Sequence, residues 1–344
     1  MGRCVDRHRP RRPAASSRVD GAAAPQGHGG DRGPLLRAGS IQRIGAPARG
    51  AGAARGAGVH ARPQHRGRRL SLPAWSEQFD RDRLRNVPST LPPIITREWA
   101  WAGATGAGVR VAVVDSGVDA GHPAVGHVDG AVIVEHDPEA PSHVRFVEGA
   151  HGDVFGHGTA CAGIIRSIAP DCELFSVRVL GARLTGKGHV FAAGLRWTLE
   201  HDMNVVNMSL STGKQDYFGL FHEIADAAYF RNVMLVCAVN NVPGPSYPSE
   251  YASVFSVAAH VDKDPLHFDY NPEPPVEFGA PGVSLDVAWL DRGRLTASGN
   301  SFAAPHIAGI VALTLSKHPR LTTFEMKTVL ASLADNRTAA HRAG

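Results

Sequence analysis

The feature that most constrains the fold is a set of short, unbroken apolar runs. Residues 109–115 read VRVAVVD, with no polar alternation after Arg110. A strand with one wet face alternates apolar and polar residues. A strand buried on both faces does not, and that is the condition of a parallel sheet covered by helices. The same kind of run recurs as AVIVE from Ala131, LFSVRVL from Leu174, NVVNMSL from Asn204, VMLVCAV from Val233 and VFSVAA from Val254. Helical patterns separate several of them, at about 158–168, 190–201 and 220–230. Two more follow: SFAAPHIAGIVALTL from Ser301 and an amphipathic stretch over 323–333. A short helix is expected in ITREWAWAG. Strands alternating with helices imply an α/β fold, doubly wound, with a mostly parallel sheet and helices on both faces. Sites in such sheets gather at the carboxyl ends of strands. Asp115 and the pair Asn240–Asn241 stand at such ends.

Charge divides the chain. Residues 1–70 hold 15 Lys+Arg against 3 Asp+Glu, a net +12, so the remainder carries −8. The basic front is rich in Arg, Ala, Gly and Pro and shows no sustained apolar period. Such a segment buries too little surface to offset its ordering entropy. The expected organisation is a low-complexity, disordered tail over 1–88, one folded domain over 89–337 and a disordered terminus over 338–344. The tail has no interleaved aromatics for base stacking, which argues against nucleic-acid binding. No apolar run follows the basic start, and no stretch reaches the length of a membrane span. The body has an odd three cysteines, Cys161, Cys172 and Cys237, and no CxxC pair. That disfavours a disulfide framework or a zinc site, reads the three as small buried hydrophobes, and favours a reducing, cytoplasmic setting, with a secreted one as the alternative if the true start site differs.

Three residues stand out chemically. Asp115 ends a buried strand before a Ser-Gly turn; it could orient a histidine, cap the turn or bind a metal. His157, in FGHGTACAG, opens a helical pattern between two glycines that permit close backbone approach. It is one of 18 histidines, so position alone does not make it catalytic. Ser301, in SGNSFAAPHIAG, directly precedes an apolar helix, with Pro305 expected in the first turn, where proline is tolerated. A serine there is an ordinary N-cap. It could also be a nucleophile beside free helix N–H groups that favour a developing oxyanion.

Taken together, VAVVDSGVD, GHGTACAG and GNSFAAPHIAG resemble the subtilisin family of serine proteases, in the order Asp, His, Ser. The resemblance runs from about residue 99 to 333 and leaves the tail outside. It implies a subtilisin-like peptidase domain and a serine endopeptidase acting through an acyl-enzyme on Ser301. His157 would be the base, Asp115 its orienting group and Asn241 an oxyanion donor. It also implies substrate binding by Ser209, Leu210 and Ser211, along a strand that pairs with the peptide backbone, and by Ser246 beside the specificity pocket. A polypeptide substrate is expected, with no cofactor, no metal, no nucleic acid, no membrane and a monomeric state. The loop that holds a strong calcium ion in secreted relatives has no room between residues 162 and 173. The sequence departs from the family pattern at Asn300-Ser301-Phe302, where Thr-Ser-Met is usual, at Asn240, where glycine is usual, and at Ser246. Residues 181–188, GARLTGKG, nearly spell a phosphate-binding loop, but Gly188 stands where that motif needs Ser or Thr for magnesium. Two other functions share these residues: a catalytically silent binding protein of the same fold, and a processing protease dedicated to one peptide precursor.

Overall fold

The structure, a computed structural model, describes residues 75–87 and 89–337. Expectations for 1–74, 88 and 338–344 lie outside the described residues. The elements run α1 (Arg97–Trp101), β1 (Arg110–Asp115), β2 (Gly130–His136), β3 (Val144–Glu148), α2 (His157–Ile168), β4 (Glu173–Arg178), α3 (Gly188–Glu200), β5 (Val205–Met208), α4 (Phe218–Phe230), β6 (Met234–Ala238), β7 (Phe255–His260), β8 (Asp269–Tyr270), β9 (Phe278–Pro281), β10 (Leu285–Ala288), β11 (Arg294–Ala297), α5 (Asn300–Lys317) and α6 (Thr323–Leu333). Among the described residues, no helix is long and apolar enough to cross a membrane.

Nine strands form one sheet in the order β3-β2-β4-β1-β5-β6-β7-β9-β8. Pairing is parallel except at the two edges, where β3 runs antiparallel to β2 and β8 to β9. β10 and β11 form a separate antiparallel hairpin. β1 explains the unbroken apolar run of the sequence: all of it except Arg110 is buried. Successive side chains of a strand point to opposite faces. Val111 and Val113 enter one core with Ile164 and Ile165 of α2 and Ile307 and Ile310 of α5. Ala112 and Val114 enter a second core with Phe191 and Leu195 of α3 and Phe221 and Ile224 of α4. The sheet is therefore covered on both sides, as expected.

α5 is the internal helix. Every residue from Phe302 to Leu315 is buried, the mark of a helix that is apolar all round. β1 lies at the point where strand order reverses, with β4 on one side and β5 on the other. A crevice opens outside the carboxyl ends of strands at such a switch point. Asp115 is the last residue of β1.

Candidate active site

The Asp115 side chain is fully buried. Both its oxygens lie 2.9 Å from Nδ1 of His157, and Oδ1 also accepts the Ser116 backbone N–H at 2.7 Å. His157 is the first residue of α2 and is itself buried. The two elements meet closely because Gly158 carries no side chain: a Cβ there would overlap the Gly117 carbonyl oxygen and stand 3.1 Å from Asp115 Cβ.

The start of α2 is held by a residue that the sequence reading missed. Oδ1 of Asp153 accepts the backbone N–H groups of Phe155 and Gly156 at 2.9 and 2.8 Å. Its Oδ2 accepts the N–H and the hydroxyl of Thr159 at 2.8 and 2.7 Å. A carboxylate in this place satisfies otherwise orphaned N–H groups and suits the positive end of the helix. Ser116 ties this cap to β1, donating from Oγ to Asp153 at 2.8 Å and accepting the Gly158 N–H at 3.2 Å. An acid four residues before His157, with Gly156 between, is a helix-start signal that could have found it. Burial opposes charging of His157, but the charge and hydrogen bond of Asp115, with a further contribution from Asp153, outweigh it. The imidazole pKa is raised above its ordinary value.

Ser301 is the second residue of α5, because the helix begins at Asn300 with Gly299 before it. It is therefore not an N-cap. Pro305 is the sixth residue of the helix, not part of its first turn. Proline lacks the N–H that would bond the carbonyl four residues back, which is that of Ser301. The Ser209 hydroxyl takes the vacant place, donating to the Ser301 carbonyl oxygen at 2.7 Å. Ser209 in turn accepts from Asn207 Nδ2 at 3.0 Å and from the Cys161 thiol at 3.3 Å. The three cysteines of the body are buried and free, and burial pushes the Cys161 thiol well above its ordinary range.

Asn300 replaces the threonine of the family pattern and serves as a tie. Its Oδ1 accepts from the Ala259 backbone at 2.9 Å, and its Nδ2 donates to the carbonyls of Asn240 and Val239 at 3.0 and 3.2 Å. Phe302 replaces methionine and sets its ring 5.2 Å from that of His157.

The adjacent asparagines separate cleanly. Asn240 is engaged at both ends: its Oδ1 accepts from Ser211 Oγ and its Nδ2 donates to the Pro245 carbonyl at 2.7 Å. Asn241 is exposed. Its Oδ1 accepts the Asn300 backbone N–H at 2.9 Å, which leaves Nδ2 as the unengaged donor among the described residues. Gly299 shows how close this amide comes to the serine. A Cβ built on it would stand 3.2 Å from Ser301 Oγ and 3.6 Å from both Asn241 amide atoms.

His157, Ser301 and Asn241 line one cavity of about 630 Å³, together with Ser209, Leu210 and Ser211. Ser246 is not on its surface. It is buried, its Oγ 2.6 Å from Ser249 Oγ and accepting the Asn240 N–H at 2.9 Å, so it braces the wall from behind. The near phosphate-loop motif forms another part of the lining, through Leu184, Thr185, Gly186, Lys187 and Gly188.

Comparison with known proteins agrees with this geometry. The model of the subtilase family, peptidase S8, matches residues 106–344. A thermostable alkaline protease of Halalkalibacterium halodurans is 31% identical over 71% of this chain and 66% of its own length. The minor extracellular protease Epr of Bacillus subtilis is 31% identical over 69% of this chain and 36% of its own. The chain thus spans less than two thirds of either relative. A cold-adapted subtilisin-like serine proteinase of known structure superposes with a TM-score of 0.55 at 25% identity, covering 70% of this chain and 87% of that one. By its sequence blocks, its sheet and these relatives, the chain belongs to the subtilase family.

Proposed function

We propose that this chain is a serine endopeptidase that hydrolyses peptide bonds through an acyl-enzyme on Ser301. The observation that carries the reading is the buried Asp115 carboxylate with both oxygens on His157 Nδ1. It fixes the tautomer: Nδ1 holds the proton, and Nε2 keeps a lone pair for the hydroxyl of Ser301 on the same cavity. His157 takes the Ser301 proton as Oγ attacks the substrate carbonyl, and Asp115 stabilises the imidazolium that forms. Asn241 Nδ2 and the Ser301 backbone N–H donate to the oxyanion. His157 then passes its proton to the leaving amine, the C–N bond breaks, and water attacks the Ser301 ester by the reverse route. The substrate is a polypeptide lying extended along residues 209–211.

The test is hydrolysis of an unfolded protein such as reduced casein. The full chain should cut it at internal bonds. Ser301→Ala and His157→Ala should each lose at least about 10⁴-fold in turnover while remaining folded. Undiminished cleavage by folded Ser301→Ala would overturn the reading.

A further inference from the structure

One end of the cleft is built differently from the rest. The Tyr217 ring lies flat against Gly188: a Cβ on Gly188 would fall within 2.6 Å of three of its ring atoms. The loop entering α3 and the loop entering α4 therefore meet there, each bringing a cation. Lys187 immediately precedes Gly188. Lys214 is bound into the turn of Tyr217, its carbonyl accepting the Tyr217 N–H at 3.1 Å. His189 follows Gly188, with Nε2 3.0 Å from Nδ1 of His136. Lys187, His189 and Lys214 all line the cavity, whereas no aspartate or glutamate does so among the described residues. Neither lysine forms an ion pair within the described residues, and Asp216, the acid next to Tyr217, is exposed and off the cavity surface. The arrangement runs against the rest of the body, whose net charge is −8 over residues 71–344.

Lys187 and Lys214 are both exposed and both on the lining of this one concave site, and two like charges brought to one cleft attract a carboxylate more strongly than either would alone, because low-dielectric walls focus the field. Apolar side chains on the same lining, Leu180, Leu184 and Phe191, would pack on the methylene groups of a glutamate. A lysine in the substrate would meet two like charges there, the kind of repulsion by which clefts reject wrong partners.

We propose that this end of the cleft binds an acidic side chain, so that the enzyme selects polypeptides with aspartate or glutamate at one fixed position close to the scissile bond. The proposal rests on the peptidase reading, and its test is chosen to stand apart from it. Binding is measured by fluorescence anisotropy on the full-length Ser301→Ala chain, which cannot consume the probe. The probes are matched sets of labelled decapeptides in which glutamate or lysine is moved along an otherwise neutral sequence. At one register the glutamate peptide should bind about tenfold tighter than its lysine partner at low salt. The ratio should fall towards one in 0.5 M salt and invert in the variant that also carries Lys187→Glu and Lys214→Glu. Replacing both lysines by alanine, which removes charge without reversing it, should bring the ratio to about one. Equal binding of the two peptide sets at every register, or a preference unmoved by the lysine substitutions, would overturn the proposal. Failure of the peptidase reading is seen separately, as absence of casein cleavage by the wild-type chain.

Discussion

Asn240 and Asn241 are neighbours with opposite employment, and the difference is a matter of which amide atoms are already spoken for. Asn240 has both ends bound within the wall. Asn241 has its carbonyl end held by the Asn300 backbone, which leaves its NH₂ group without a partner among the described residues. Asn241→Ala should therefore lower kcat by about 10²–10³ with little change in KM, the size found when this donor is removed from a subtilisin. Asn240→Ala should act mainly on stability. A kinetic assay in which the two results are exchanged would move the oxyanion donor by one residue. His157 and Asp153 supply a second prediction. The proposed mechanism requires neutral His157, and its pKa is raised, so the acid limb of kcat/KM should lie above the ordinary imidazole value. Asp153→Asn removes one negative charge and weakens the cap of α2. It should shift that limb to lower pH and reduce kcat more than it raises KM. A pH profile that does not move would confine Asp153 to a structural role.

At the scale of the element, α5 carries both the proposed nucleophile and an irregularity beneath it. Pro305 leaves the Ser301 carbonyl without a helical partner, and Ser209 supplies one from β5's end of the sheet. Ser209→Ala should leave the Ser301 carbonyl with only the Cys161 thiol, at 3.6 Å, at a cost of about 1 kcal/mol, lowering both Tm and turnover. Pro305→Ala should restore much of that loss, because an alanine at that position could supply an N–H within the helix. Additive losses in the double variant would show that the two residues do not compensate. The same helix holds His306, whose pKa burial pushes down to about 4, with its Nδ1 3.1 Å from the Pro265 carbonyl. A folded pKa below the unfolded value means stability that is present above about pH 6.5 and is lost as pH falls towards 4. The loss reaches about 3 kcal/mol at most. His306→Leu should flatten the acid side of a denaturation series over that window. The strong elements of this fold were readable because burial on both faces leaves unbroken apolar runs, and β1, β2, β4, β5, β6 and β7 all overlap runs seen in the sequence. β3, β8, β9 and the β10–β11 hairpin left no such mark. β3 is a largely exposed edge strand, β8 has two residues, and β9 reads Phe-Gly-Ala-Pro. The site was legible to a similar degree. Asp115, His157, Ser301 and Asn241 sit in compact blocks; the structure sets His157, Ser301 and Asn241 on one cavity and Asp115 buried behind His157. Asp153 left a local helix-start signal before Gly156, whereas the Ser209–Pro305 relation depends on contacts between separate segments that no local pattern records.

For the whole molecule, charge and core give different boundaries for what matters. Among the described residues, both cores are assembled from residues beyond position 90, while the +12 of the chain is carried by residues 1–70. A chain beginning at Asn86 should fold, keep its casein activity and behave as an acidic protein of net charge −8. Refolding only when a peptide of residues 1–85 is added in trans would assign that segment a folding role. The central claim, that His157 and Asp115 activate Ser301, is tested most directly by a fluorophosphonate probe, which reacts with an activated serine whatever the substrate. Digestion and mass spectrometry of the labelled full-length protein should place the probe on Ser301 alone. Labelling should be lost in Ser301→Ala and slowed by orders of magnitude in Asp115→Asn, which leaves the wrong tautomer of His157 in place. A probe found on another residue, or labelling that survives in folded Ser301→Ala, would contradict the account.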